Sequence, residues 1–451
     1  MWRSRRQFFG RALAGAGAMA GGARLAGAFG ALQGGAQPAA PFLPVETPDV
    51  PKLAYTLDGG VKVFNLVAEP VRRELAPGRT ADLWGYNGTS PGPTLEVVQG
   101  DRVRIVVENR LPEPTSMHWH GFEIPIAMDG MGGISQPLIP PGGRFVYEFE
   151  LHQAGTFFYH SHMSMQPMLG LMGLFILHPR QPVAPAVDKD FGLVLQEFAI
   201  LPDNTVPNTL AMEFNWLTMN GRSAPATTPL VVRLGDRVRI RLANMGMDHH
   251  PIHLHGYTFY VTGTEAGRVP QAAWTPANTV LVGVAQARDI EFVANNPGDW
   301  MLHCHMPHHM MNQMASMVGP MLETGHGMRA GAGMAEGMGM MQRGAPLSEE
   351  NGPSLGRAIG LGADREKPAT HMPMSPAASA APEAAQNPWR VPGYPQDMMM
   401  PMDDAVAKPE TWALAPGWSG GMMGMMTLVR VLPPNLYDEV MARVRAARAQ
   451  A

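Results

Sequence analysis

Cysteine is almost absent: one residue, Cys304, in a chain of 451. No intrachain disulfide can form, so sulfur staples nothing here. Charge is sparse as well. Charged residues make up 16% and the formal net charge is −4. With no basic patch, nucleic acid is removed from the candidate partners. Long apolar runs are also missing. The N-terminal Ala/Gly run is too weakly apolar to cross a bilayer and no later stretch qualifies, so no membrane span is expected in the mature chain. What abounds is methionine, 36 residues, together with the turn formers, 51 Gly and 43 Pro. The length suits two or three domains with sizeable cores.

The first residues read as an address. "SRRQFFGRALAGAGAMAGG" (4–22) sets Arg5 and Arg6 before Phe8, Phe9 and a mildly apolar run. This resembles a twin-arginine export signal, with a small-residue cleavage zone near 26–28. Residues 1–45 are therefore assigned to a leader and linker, and the protein to the periplasm or beyond, exported folded. A bare thiol there is exposed to oxidation. Metal coordination explains why one is kept.

The body contains a repeat. "LEVVQGDRVRIVVEN" (95–109) matches "LVVRLGDRVRIRLAN" (230–244) at an offset of 135, which also carries His118 and His120 onto His253 and His255. "GTFFYHSHM" (155–163) matches "GDWMLHCHM" (298–306) at an offset of 143, carrying His160 and His162 onto His303 and His305, and Ser161 onto Cys304. Two copies of one domain follow, 46–180 and 188–325, joined by "HPRQPVAPAV" (178–187). Short alternating runs between Pro/Gly turns predict strands. The fold class is all-β, as two Greek-key β-sandwiches. Residues 326–451 change character. Gly/Met/Ala and Pro/Ala low complexity predicts a largely flexible extension, ending in a short strand and helix that dock on domain 2.

Four His-x-His pairs recur at repeat-related positions. In a strand, i and i+2 share a face and i+1 takes the other. Each pair thus presents two imidazoles together, a set suited to copper. The same geometry accounts for the thiol. His303 and His305 point one way and Cys304 the other, so one peptide touches two metal sites. Thiolate, two imidazoles and a weak thioether make a blue-copper set. Here that set is Cys304, His309, Met314 and the upstream His250.

With "HWHG" (118–121), "HSH" (160–162), "HPIHLHG" (250–256) and "HCHMPHHMMNQM" (303–314) in order, the chain resembles the multicopper oxidases. The resemblance implies two cupredoxin-like domains and four coppers per chain: one type 1, one type 2 and a type 3 pair. It supports His250 at the type 1 site and assigns His118 and His253 to type 2. His120, His160 and His305 then hold one type 3 copper, and His162, His255 and His303 the other. Too few residues separate His160 from His250 for the third domain of usual members, so the two-domain, small-laccase-like subclass is implied. Back-projection puts Thr115, Ser161, Gln166 and Leu171 at the type 1 positions of domain 1, so only domain 2 should be blue. Half of the cluster histidines belong to each domain. A head-to-tail homotrimer would pair domain 2 of one chain with domain 1 of the next.

Asp129 follows the "HWHG" segment and is either a proton donor in O2 reduction, as in some bacterial members, or a turn residue before Gly130. The position after His309, where such members often have a second acid, holds Met310. His249 and His308 read as bystanders, and the spacing Cys304 + 5 selects His309. Methionine inside the domains is either pliable core filler or a soft Cu(I) ligand. The function expected is one-electron oxidation of a donor coupled to reduction of O2 to water. Cuprous ion is the favoured donor, in copper tolerance, and laccase-like phenol oxidation the alternative. A copper-binding carrier without turnover is the reading from another class.

Overall fold

The structure, a computed structural model, describes residues 42–200, 204–212, 214–310 and 401–450. Most of the leader, Met314 and the Met-rich sequence through residue 400 lie outside the described residues. Domain 1 has nine strands: β1 (Thr56–Asp58), β2 (Val61–Ala76), β3 (Arg79–Tyr86), β4 (Gly92–Val98), β5 (Arg102–Asn109), β6 (Met117–His120), β7 (Arg144–Glu150), β8 (Gly155–Ser161) and β9 (Met172–His178). Domain 2 follows with β10 (Lys189–Phe198), β11 (Trp216–Met219), β12 (Leu230–Arg233), β13 (Arg237–Asn244), β14 (His250–Leu254), β15 (Phe259–Thr264), β16 (Gly267–Arg268), β17 (Thr275–Ala277), β18 (Thr279–Val282), β19 (Ala287–Val293) and β20 (Gly298–Cys304). Beyond the gap come β21 (Met426–Leu432) and one helix, α1 (Pro434–Arg448).

Alternation builds these sandwiches. In β5, Val103, Ile105 and Val107 are buried while Arg104, Val106 and Glu108 between them stay half exposed, the period-2 signature of a strand with one wet face. One sheet of domain 1 runs β1-β2-β5-β7 with β3 on β2, and the other runs β4-β9-β8-β6. Domain 2 repeats the plan. One sheet runs β11-β10-β13-β19-β15-β16, and the other runs β12-β21-β20-β14-β18. Successive strands switch between sheets, which is the Greek-key character expected of both domains.

β13 departs from the pattern of its repeat mate β5. Arg239 and Arg241 are buried, because domain 1 covers the face that β5 leaves wet. Arg241 donates to Asp190 through Nε and Nη2, both 2.8 Å, and through Nη1 to Thr156 Oγ1 at 2.8 Å. Thr156 in turn donates to Asp289 at 2.6 Å. Beside this polar seam, Phe158 and Leu174 of domain 1 pack against Val194 and Ala287 of domain 2.

The segment read as an extension enters domain 2 itself. β21 lies in the middle of a sheet, parallel to β12 and antiparallel to β20. Helix α1 starts on Pro434, where a missing N–H costs nothing, and seats Val440 and Val444 against Val231 and Leu432. Among the described residues, no helix is long and apolar enough to cross a membrane.

Candidate metal centres

Strand register assembles the histidines. β6 pairs with β8 so that His118 faces His160, and β14 pairs with β20 so that His253 faces His303. Between His118 and His120 the alternating Trp119 is fully buried, while both imidazoles are half buried on the opposite face. Cys304 is likewise buried in the domain 2 core, while His305 is exposed.

Three of the donors expected at the type 1 site converge. His309 Nδ1 lies 3.4 Å and His250 Nδ1 3.7 Å from Cys304 Sγ, and the two nitrogens are 3.2 Å apart. A late first-row ion held about 2.0–2.3 Å from such donors fits this triangle. All three residues are buried. Burial pushes the Cys304 thiol up to about 12, so a bound metal must displace its proton. Met314, the expected fourth ligand, lies outside the described residues.

Domain 1 has the same pocket filled by hydrogen bonds. Thr115 Oγ1 donates to Gln166 Oε1 at 2.9 Å and Ser161 Oγ donates to the same oxygen at 2.7 Å. Hydroxyls and an amide occupy the places of His250, Cys304 and His309 and satisfy one another, leaving no soft donor.

The eight remaining histidines form two half-sites. In domain 1 the His118 ring lies 5.7, 5.3 and 5.3 Å from those of His120, His160 and His162. In domain 2 the His253 ring lies 4.8, 5.6 and 5.5 Å from those of His255, His303 and His305. Backbone carbonyls fix the tautomers. Nδ1 of His118, His160, His253 and His303 donates to the carbonyls of Asp129, Ser161, Asn278 and Cys304 at 2.8, 2.7, 2.7 and 2.8 Å. That leaves four Nε2 lone pairs for metal, the outer-shell arrangement that orients ligating histidines. Burial also holds His120 down to about 4 and His160 to about 3, and lowers His255 and His303, so these rings stay neutral. Among the described residues, no ring contact joins one half-site to the other.

Asp129 is fixed by the chain. Its carbonyl anchors His118, and its carboxylate oxygen lies 3.5 Å from the same Nδ1. Gly130 follows at φ +89, where a Cβ would fall 1.7 Å from the Met117 carbonyl. The turn and the acid beside His118 are therefore one feature. His308 is exposed beside His309, with ring centroids 4.2 Å apart. His249 accepts from the Val284 N–H at 3.1 Å. His308 thus lies beside one of the three converging donors, with Asp248 and His309 offering ligand atoms within 4.8 Å of its own, while Cys304 and His250 group with His309 without it.

Two neighbours of the Cys304, His250 and His309 cluster were not visible in the motifs. Glu197, fully buried, accepts from His250 Nε2 at 3.0 Å and from the Asp248 N–H at 2.9 Å, and also from the Met247 N–H. It turns Nδ1 of His250 toward Cys304. Asp248 lies 3.3 Å from His309 Nε2 and does the same from the rim. The signal for Glu197 is faint: one acid in the apolar run "LVLQEFAI".

Known proteins resemble this chain. Two family profiles, each described as multicopper oxidase, match residues 68–182 and 200–319. Copper resistance protein A of Pseudomonas syringae pv. tomato is 34% identical over 146 residues, 32% of this chain and 24% of that protein. Copper resistance protein A of Escherichia coli is 32% identical over 196 residues, 42% of this chain and 32% of that protein. The chain thus spans about a quarter to a third of the length of these curated relatives. The crystal structure of a blue copper oxidase from Nitrosomonas europaea superposes with a TM-score of 0.53 at 30% identity, covering 56% of this chain and 81% of that one. Profiles, relatives and geometry agree: the chain belongs to the multicopper oxidase family.

Proposed function

We propose that this protein oxidises a one-electron donor at a type 1 site in domain 2 and couples that to four-electron reduction of O2 to water. The observation that carries the reading is the placement of β20. It buries Cys304 against His250 and His309 while turning His303 and His305 to the opposite face. Four bound coppers would supply the electron carrier and the O2-reducing centre. Cys304, His250 and His309 would hold the first, and the eight histidines the type 2 and type 3 set. The protein's own part is to orient. Glu197 and Asp248 aim two imidazoles at the thiolate, and backbone carbonyls aim four more at the cluster. The Cys304–His303 and Cys304–His305 bonds give a covalent path between the two centres. Asp129, beside His118, would deliver the protons.

Cuprous ion is the proposed donor. Two relatives are named copper resistance proteins, and a thioether-rich sequence favours Cu(I). The leader adds export of the folded protein. The separate half-sites favour a homotrimer in which clusters form between subunits. Exposed Ile126 and Ile134, 70% and 75% accessible, lie in the chain between the two histidine pairs of the domain 1 half-site, and Leu281, 56% accessible, lies on β18 next to β14. These are surfaces a second copy would cover. Oxygen uptake by the copper-loaded protein, measured with Cu(I) and with a phenol, tests the reading. Faster turnover with Cu(I) supports it. Preference for the phenol makes the protein laccase-like, and copper binding without uptake makes it a carrier.

A further inference from the structure

The strand that completes domain 2 raises the question of which methionine faces its blue copper. In domain 1, β9 lies between β4 and β8, and in domain 2 β21 lies between β12 and β20. The registers agree. His160 pairs with Met172 as His303 pairs with Met426. One residue earlier, Leu171 therefore corresponds to Met425. The backbone bonds repeat as well. Ser161 N–H donates to the Leu171 carbonyl at 3.0 Å, and Cys304 N–H donates to the Met425 carbonyl at 3.0 Å. Leu171 N–H donates to the Gln166 carbonyl at 3.4 Å, and Met425 N–H to the His309 carbonyl at 2.9 Å. Before them stand Gly170 at φ +110 and Gly424 at φ +65, and each carbonyl accepts from the residue two places on, at 2.9 and 3.0 Å.

We propose that Met425, not Met314, is the axial thioether of the type 1 site, and that residues 310–424 are an insertion within its ligand loop. The inference rests on the type 1 reading above and adds its fourth ligand. Met425 is fully buried and packs in the same apolar cluster as Cys304. Its main chain is bonded to two of the three convergent donors, one on each side. The four residues 167–170 between Gln166 and Leu171 in domain 1 thus correspond to the sequence 310–424 between His309 and Met425 in domain 2. A count of residues forward from His309 reaches Met314, but register reaches Met425.

A weak axial thioether tunes the potential of a Cys/His/His copper. Replacement by a hydrocarbon removes a donor and favours Cu(I), while an amide oxygen is harder and favours Cu(II). The experiment compares Met425→Leu, Met425→Gln and Met314→Leu in the full copper-loaded protein, reading the blue absorption and the reduction potential. Met425→Leu is expected to raise the potential and Met425→Gln to lower it, with Met314→Leu unchanged. A shift in Met314→Leu overturns the assignment, and that variant decides even if the buried substitutions fold poorly. Absence of any shift in folded Met425 variants overturns it too. Loss of the blue band in the unmutated protein would instead refute the type 1 site itself.

Discussion

At the scale of residues, the thiol is the most exacting choice in the chain. Cys304 faces the core and its two neighbours face the half-site of domain 2, so its substitution should separate two kinds of copper. Cys304→Ser is expected to abolish the blue thiolate absorption and turnover while the histidine-bound coppers remain, read by absorption and metal content. A variant that stays blue overturns the assignment. Asp129→Asn is expected to slow O2 reduction by about 10²-fold, the low end of what a positioned acid contributes, while donor oxidation at the blue site keeps its rate. Stopped-flow measurement of both half-reactions decides, and equal slowing of the two, or of neither, makes Asp129 a turn residue only. The grouping of the histidines was legible because period 2 converts His-x-His into a shared face. Glu197 was not, because one acid inside an apolar strand gains meaning only when β10 brings it to His250 Nε2.

At the scale of elements, β21 is the part the sequence conceals. Its repeat is present: "MLGLMGLFIL" (168–177) aligns with "MMGMMTLVRV" (422–431) at an offset of 254. The offsets of 135 and 143 that reveal the rest of the domain do not reach it, because the intervening stretch displaces the strand. The same displacement made the C-terminal segment read as an appendage, although a short strand and helix docking on domain 2 are what it contributes. A truncation experiment exposes the difference. Met425, Met426, Leu428, Val429, Val431 and Leu432 are all buried. At about 1.5–3 kcal/mol per buried apolar side chain, their loss matches the whole net stability of a domain, about 5–15 kcal/mol. Ending the chain at residue 325 is therefore expected to give protein without a cooperative thermal transition. Folded, truncated protein that loses only Cu(I) oxidation would show that domain 2 closes without β21.

At the scale of the whole molecule, each chain carries two half-sites and, among the described residues, nothing that joins them. His118, His120, His160 and His162 sit on one sandwich and His253, His255, His303 and His305 on the other, on or just beyond the corresponding strand pairs β6/β8 and β14/β20. The domains are fixed to each other by a different surface, the seam around Arg241, Asp190 and Thr156. A second copy can approach faces on which His162 and His305 are already exposed, and closed head-to-tail symmetry lets three copies satisfy one another. The two half-sites can then be spoiled separately. His120→Ala removes a domain 1 ligand and His303→Ala a domain 2 ligand, and each variant alone is expected to be inactive in oxygen uptake. Refolded together in equal amounts, they should regain roughly a quarter of the sites, the chance that a head-to-tail contact pairs two intact domains. Mixed trimers confirmed by mass, yet without recovered uptake, would place the cluster inside one chain.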